Sequence, residues 1–226
     1  MSEPTNPSRR RLLRAGAGFA VAIPLRRVDA QPTAPPRYEF FTAEEAPLVE
    51  AALARLIPVD ELGPGALEAG VPAFIDRQLA GAYGAGERLY RAGPWRKGEP
   101  TQGYQLPHTP AQLFRVAIRA IGQDLAPKGG FDKLEPHAQD AYLDALQKGE
   151  VSLGAAGTSE FFDLLLALTM EGYLGDPVYG GNRGMQAWKM IGFPGAYANY
   201  YELVGANAPF DGPPMSLAEG AHGHKT

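Results

Sequence analysis

Four histidines, His108, His137, His222 and His224, are the first candidates for acid–base or metal chemistry in this chain. A helical metal site sets two such ligands three or four residues apart, so that both project from one face. No two of these histidines have that spacing. His108 directly precedes a helix-capping threonine, where it could contact the helix start or a partner. His137 falls in a predicted first turn and is expected to be exposed. His222 and His224 lie in a glycine-rich tail expected to be solvated. Ser152, Ser159 and Ser216 lack the glycine-flanked strand-to-helix turn that exposes a hydrolase nucleophile. There is no glycine–lysine–serine phosphate loop. With no cysteine in the chain, disulfides, thiolate zinc, cysteine-ligated iron–sulfur clusters and covalent c-type haem are all excluded. A non-covalent haem would have to draw on histidine or methionine.

The most unusual local composition runs from Glu171 to Gly195, EGYLGDPVYGGNRGMQAWKMIGFPG. Asp176-Pro177 followed by Gly180-Gly181-Asn182 demands turns, because glycine and asparagine tolerate positive φ. Tyr173, Tyr179, Trp188 and Phe193 punctuate it. Aromatics with an arginine, Arg183, on a glycine-shaped loop are the ingredients of a protein-binding anchor. The same aromatics could equally pack the loop onto the domain's own core. Both readings stand at this level.

The elements that would carry this segment are helical. Thr42-Ala43-Glu44-Glu45 is a capping box, and Leu48, Val49, Ala52, Leu53, Leu56 and Ile57 follow on one face until Pro58. Phe74, Ile75, Gln78 and Leu79 mark a second helix, stopped by Gly81, Gly84 and Gly86. Residues 92–108 have no periodicity and form a long loop. Thr109-Pro110-Ala111-Gln112 starts a third helix, with Leu113, Val116, Ala117, Ala120 and Ile121 as its stripe. A fourth is predicted over 135–148, with Ala138, Tyr142, Ala145 and Leu146 inward and Gly149 closing it. Thr158 or Ser159 opens the most apolar helix, closed by Gly175 and predicted to be the central core element. No stretch alternates with period two, so the fold class is all-α, an irregular helical domain over 38–206. Glycine and proline together make 49 of 226 residues, as long, turn-rich loops require.

Residues 1–30 differ from the rest. They hold six arginines against two acids, whereas the remaining chain has fifteen basic and twenty-three acidic residues, a net charge of −8. Ser8-Arg9-Arg10-Arg11-Leu12-Leu13-Arg14 precedes the small apolar run Ala15–Leu25, with Val28-Asp29-Ala30 as a cleavage-type end. This is the pattern of a bacterial export signal, and the Arg9-Arg10 pair resembles the twin-arginine class. The run is well short of the roughly 20 residues a membrane span needs. Gly16-Ala17-Gly18 lacks the preceding strand of a dinucleotide loop. An acidic body with no basic stripe argues against nucleic acid as a partner. Residues 31–37 form a proline-rich linker, and 207–226 are read as a flexible tail. The twin-arginine route, as that resemblance implies, carries folded and typically cofactor-loaded cargo.

Asp176-Pro177-x-Tyr179-Gly180-Gly181-Asn182, with Trp188 and Gly192 behind it, resembles the gluconate 2-dehydrogenase subunit 3 family. Ile57-Pro58-x-Asp60, Pro64-Gly65-Ala66-x-Glu68-Ala69-Gly70 and Phe74-Ile75-Asp76 are similar to that family's amino-terminal block. With the signal, the resemblance extends over about residues 8–204. It implies a non-catalytic small subunit with no cofactor of its own. Its partner would be a large FAD-containing dehydrogenase chain acting on gluconate, glucose, fructose or a related polyol, in many complexes joined by a multihaem cytochrome c. It also implies export through the twin-arginine translocase, a periplasmic location, and membrane association through the complex. Asp176, Pro177, Tyr179, Gly180, Gly181, Asn182, Arg183, Trp188 and Phe193 are then candidates for the partner interface. Two other readings remain open: a free-standing exported enzyme with a site near His108, and an exported ligand-binding protein.

Overall fold

The structure, a computed structural model, describes residues 38–96, 99, 101, 105–154, 156–197, 205 and 212–220. The export signal with Arg9 and Arg10, the linker 31–37, His222 and His224 lie outside the described residues. Eight α-helices are found among the described residues: α1 Ala46–Leu56, α2 Val71–Ala80, α3 Ala82–Ala85, α4 Pro110–Leu125, α5 Pro136–Gln147, α6 Thr158–Leu174, α7 Gln186–Ile191 and α8 Leu217–Gly220. Among the same residues there is no strand, only an isolated bridge between Gly195 and Met215. No described helix is long and apolar enough to cross a membrane.

Local chemistry explains the helix starts. Thr109 accepts from the Gln112 N–H at 3.2 Å, and Gln112 returns a bond to the Thr109 N–H at 2.9 Å. This closed capping box satisfies two orphan amides of α4, with Pro110 at its first position. The Thr42–Glu45 box also closes reciprocally, but as a turn just before α1, whose regular helix begins at Ala46. At the far end of α5, Gly149 takes φ 71° and returns its N–H to Leu146, a left-handed stop that glycine makes without steric penalty.

Helix α6 is the centre of the domain. It packs against α1, α2, α4, α5 and α7, burying Phe161, Phe162, Leu165, Leu168 and Tyr173. Phe161 meets Phe114 of α4 edge-on, ring centres 5.2 Å apart. Each fully buried side chain of this size contributes about 1.5–3 kcal/mol relative to exposure, so this apolar helix needs cover on several sides. α5 departs from expectation. Its buried residues are Gln139, Leu143 and Leu146, one position on from the predicted face at Ala138 and Tyr142. Gln139 turns inward because its amide donates to the Phe131 carbonyl at 3.0 Å. Tyr142 sits at the seam, its ring against Phe131 and its hydroxyl on Asp124.

Candidate functional site

The loop between α6 and α7 is built on three polar side chains. Asp176 is buried, and its carboxylate accepts from the Val178 N–H at 2.9 Å, the Ser216 hydroxyl at 2.7 Å and the Leu217 N–H at 2.8 Å. Burial alone would raise this carboxyl's pKa. The bonds from Ser216, Val178 and Leu217 outweigh that effect and hold it below the usual carboxylate value. Asn182 is fully buried; its amide donates to the Gly175 carbonyl and its oxygen accepts from the Ala187 N–H, both at 3.0 Å. Trp188 donates its indole N–H to the Leu174 carbonyl at 2.6 Å. Asp176 thus caps the short turn Pro177–Tyr179, Asn182 clamps the start of α7, and Trp188 ties α7 to the end of α6.

Backbone conformations follow from this close packing. Asn182 at φ 42° and Met185 at φ 55° are the only non-glycine residues with positive φ among the described residues. Strained backbone of this kind persists only where surrounding contacts over-determine it. The Asn182 N–H bonds the Gly172 carbonyl at 2.9 Å. A Cβ on Gly181 would run into that same carbonyl oxygen, so the chain passes α6 only because residue 181 has no side chain.

The two sequence blocks that resemble one family meet here. The Arg183 N–H bonds the Ala69 carbonyl at 3.0 Å. The Tyr173 hydroxyl donates to the Pro64 carbonyl at 2.7 Å. A Cβ on Gly63 would lie 2.8 Å from the Met190 sulfur. The stretch 63–71 is therefore the floor on which 172–190 rests. Asp76, within the first block, is buried and accepts three backbone N–H bonds, from Glu39, Phe40 and Phe41 at 2.7–2.9 Å. It pins the first described residues to α2.

Of the two roles open to the aromatics, Trp188 takes the internal one: it is 5% exposed. Asp176, Gly181 and Asn182 are buried as well, Pro177 and Gly180 are half-buried, and Arg183 is exposed. Tyr179 and Phe193 face outward, 56% and 45% exposed, with Val178, Met190, Ile191 and Leu217 also exposed around them. Phe193 leans its edge on Trp188, ring centres 5.1 Å apart. Within the stretch read as a tail, residues 212–220 are described, and part of them is bonded to the motif loop. This stretch is docked by Ser216 and Leu217 on Asp176 and by paired bonds of Met215 with Pro194 and Ala196. No spacing rule in the sequence points from Asp176 to Ser216. Arg77 is a further participant the sequence reading did not single out; it donates to the Tyr179 carbonyl at 3.3 Å.

The candidates for catalysis are scattered. His108 is half-buried before the α4 cap and His137 is exposed in the first turn of α5. Ser152 lines an open depression with Val116, Arg119 and Asp124, where Asp124 already accepts the Tyr142 hydroxyl at 2.9 Å. Among the described residues no group of three or more histidine and carboxylate side chains is placed to hold a metal ion.

A family model described as gluconate 2-dehydrogenase subunit 3 matches residues 43–195, more than half of the chain and both blocks just described. No curated protein and no solved structure matches the chain.

Proposed function

Since this chain belongs to the gluconate 2-dehydrogenase subunit 3 family, we propose that it is the non-catalytic small subunit of a periplasmic, flavin-dependent sugar or polyol dehydrogenase. In this reading the flavin, and the hydride chemistry it supplies, belong to a larger catalytic chain. In many complexes of this kind a multihaem cytochrome c is a third component. The small subunit stabilises the catalytic chain and takes it through the twin-arginine translocase on the strength of Arg9 and Arg10. The complex then associates with the membrane.

One observation supports this reading above the others. The polar side chains Asp176 and Asn182 of the family motif are engaged in holding the loop, while Val178 and Tyr179 within it face outward. Asp176 accepts three internal hydrogen bonds and Asn182 is clamped on both ends of its amide. Neither is available to shuttle a proton to a substrate. Tyr179 and Phe193 instead offer exposed aromatic area on a loop held by internal hydrogen bonds, the usual material of an interface anchor. The glycines of the motif serve close backbone packing, as Gly181 does against Gly172.

The export half of the proposal is tested by Arg9→Lys with Arg10→Lys, made in cells that also produce the flavin chain. The expected result is that flavin-dependent dehydrogenase activity disappears from the periplasm and the catalytic chain stays in the cytoplasm. Active catalytic chain in the periplasm of the double variant would contradict it.

A further inference from the structure

Two arginines lie crosswise between α2 and the motif loop. Arg77, on α2, passes over Gly180 to reach the Tyr179 carbonyl. Arg183, on the loop, runs the other way over Gly70, where a Cβ would stand 2.5 Å from its Nε. Both glycines have positive φ, 96° at Gly180 and 81° at Gly70. Each guanidinium side chain is therefore laid in a notch left by a glycine. Both arginines are exposed, and the four ion pairs found among the described residues use Arg55, Arg115, Lys133 and Lys148 instead. Arg77 makes one long bond with one of the five N–H donors a guanidinium carries.

Resting on the subunit reading, we infer that Arg77 and Arg183 receive carboxylates from an acidic segment of the catalytic chain, with Tyr179 and Val178 packed against apolar side chains of that segment. Gly70, under Arg183, immediately precedes α2, and Arg77 lies about two turns further along it, roughly 10 Å by helical rise, so both side chains cross the same seam between α2 and the loop. Guanidinium forks match carboxylates in paired hydrogen bonds, and a fork whose side chain is already seated loses less freedom on binding. Exposed apolar residues on both sides, Tyr179 above all, suit a protein surface. An anionic membrane is the poorer occupant, because the chain beyond its first 30 residues carries −8 and is repelled by a surface of like charge.

The test is the affinity of the full chain for the coexpressed flavin-containing chain, measured for wild type, Arg77→Glu/Arg183→Glu and Arg77→Lys/Arg183→Lys, with circular dichroism and melting of each. The expected result is a loss of about tenfold or more for the glutamate pair and a smaller loss for the lysine pair. Wild-type affinity should also fall as salt rises. That salt dependence decides the matter if the glutamate pair fails to fold. A folded glutamate variant binding within about twofold of wild type, or a wild-type affinity indifferent to salt, overturns the inference and leaves the subunit reading intact. A wild-type chain that does not bind the flavin chain at all overturns the subunit reading itself. Arginine-dependent binding to phosphatidylglycerol vesicles, with none to the flavin chain, would identify a membrane as the occupant and overturn both.

Discussion

Ser216 donates its hydroxyl hydrogen to Asp176 across forty residues of sequence, at 2.7 Å and between two buried side chains. This bond fastens the segment after Gly212 to the motif loop. Ser216→Ala should cost about 1.5–3 kcal/mol, as expected for one hydrogen bond to a charged group. Hydrogen exchange should show the loss first at the Leu217 N–H, which bonds the same carboxylate.

Acid should release the same segment. The folded-state pKa of Asp176 is depressed, so its stabilisation is full above the ordinary carboxylate pKa. That contribution is lost as pH falls through the lower, folded value. Asp176→Asn should remove this part of the acid dependence and destabilise the loop at neutral pH. Melting curves for wild type and variant across the acidic range check the sign.

Asn182 is tested by comparing two substitutions. Asn182→Ala removes both side-chain bonds from a fully buried site and places alanine at φ 42°; a loss of about 3 kcal/mol is expected. Asn182→Gly removes the same bonds without the left-handed penalty and should be about 1 kcal/mol less damaging. Equal losses in chemical denaturation would mean that the backbone conformation costs nothing here.

The aromatics should separate by role. Trp188→Ala empties a buried site and orphans the Leu174 carbonyl, so a loss of about 3–5 kcal/mol is expected. Tyr179→Ala should shift stability by no more than about 0.5 kcal/mol, in line with exposed positions, yet weaken copurification with the catalytic chain. Thermal melting and copurification together distinguish the two behaviours.

Asp76→Ala leaves three backbone N–H groups of residues 39–41 without their acceptor. A loss of about 2–4 kcal/mol is expected, the cost of orphaning buried or half-buried donors. Asp76→Asn, which keeps one acceptor oxygen, should recover part of it. Urea denaturation of the three proteins checks the order.

Much of the helical frame is legible in the chain because its signals are local. Thr109 and Gln112 cap each other three residues apart, and Pro58, Gly81, Gly149 and Gly175 fall just past the ends of their helices, whereas Gly84, expected as a stop, lies within the short α3. The inner face of α5 is not legible: Gln139 turns inward for a carbonyl on Phe131, a tertiary bond that periodicity cannot contain. The motif loop shows the same division. Its turns follow from Asp176, Gly180 and Asn182, since side-chain capping and positive φ are properties of residue type. That Trp188 is internal while Tyr179 is external depends on the Leu174 carbonyl and the floor at 63–71. Ser216 and Arg77 join the site only through folding. Asp76 lies in a recognisable block, but nothing local says that its carboxylate captures residues 39–41.

The central claim, that this chain serves a flavin enzyme without being one, is tested most directly by purifying the full-length protein alone and with the catalytic chain, then assaying both for flavin content and for oxidation of gluconate, glucose and fructose with an artificial electron acceptor. The account predicts stoichiometric flavin and turnover in the complex, and neither in the isolated small chain. Flavin held tightly by the isolated 226-residue chain, with turnover to match, would contradict it.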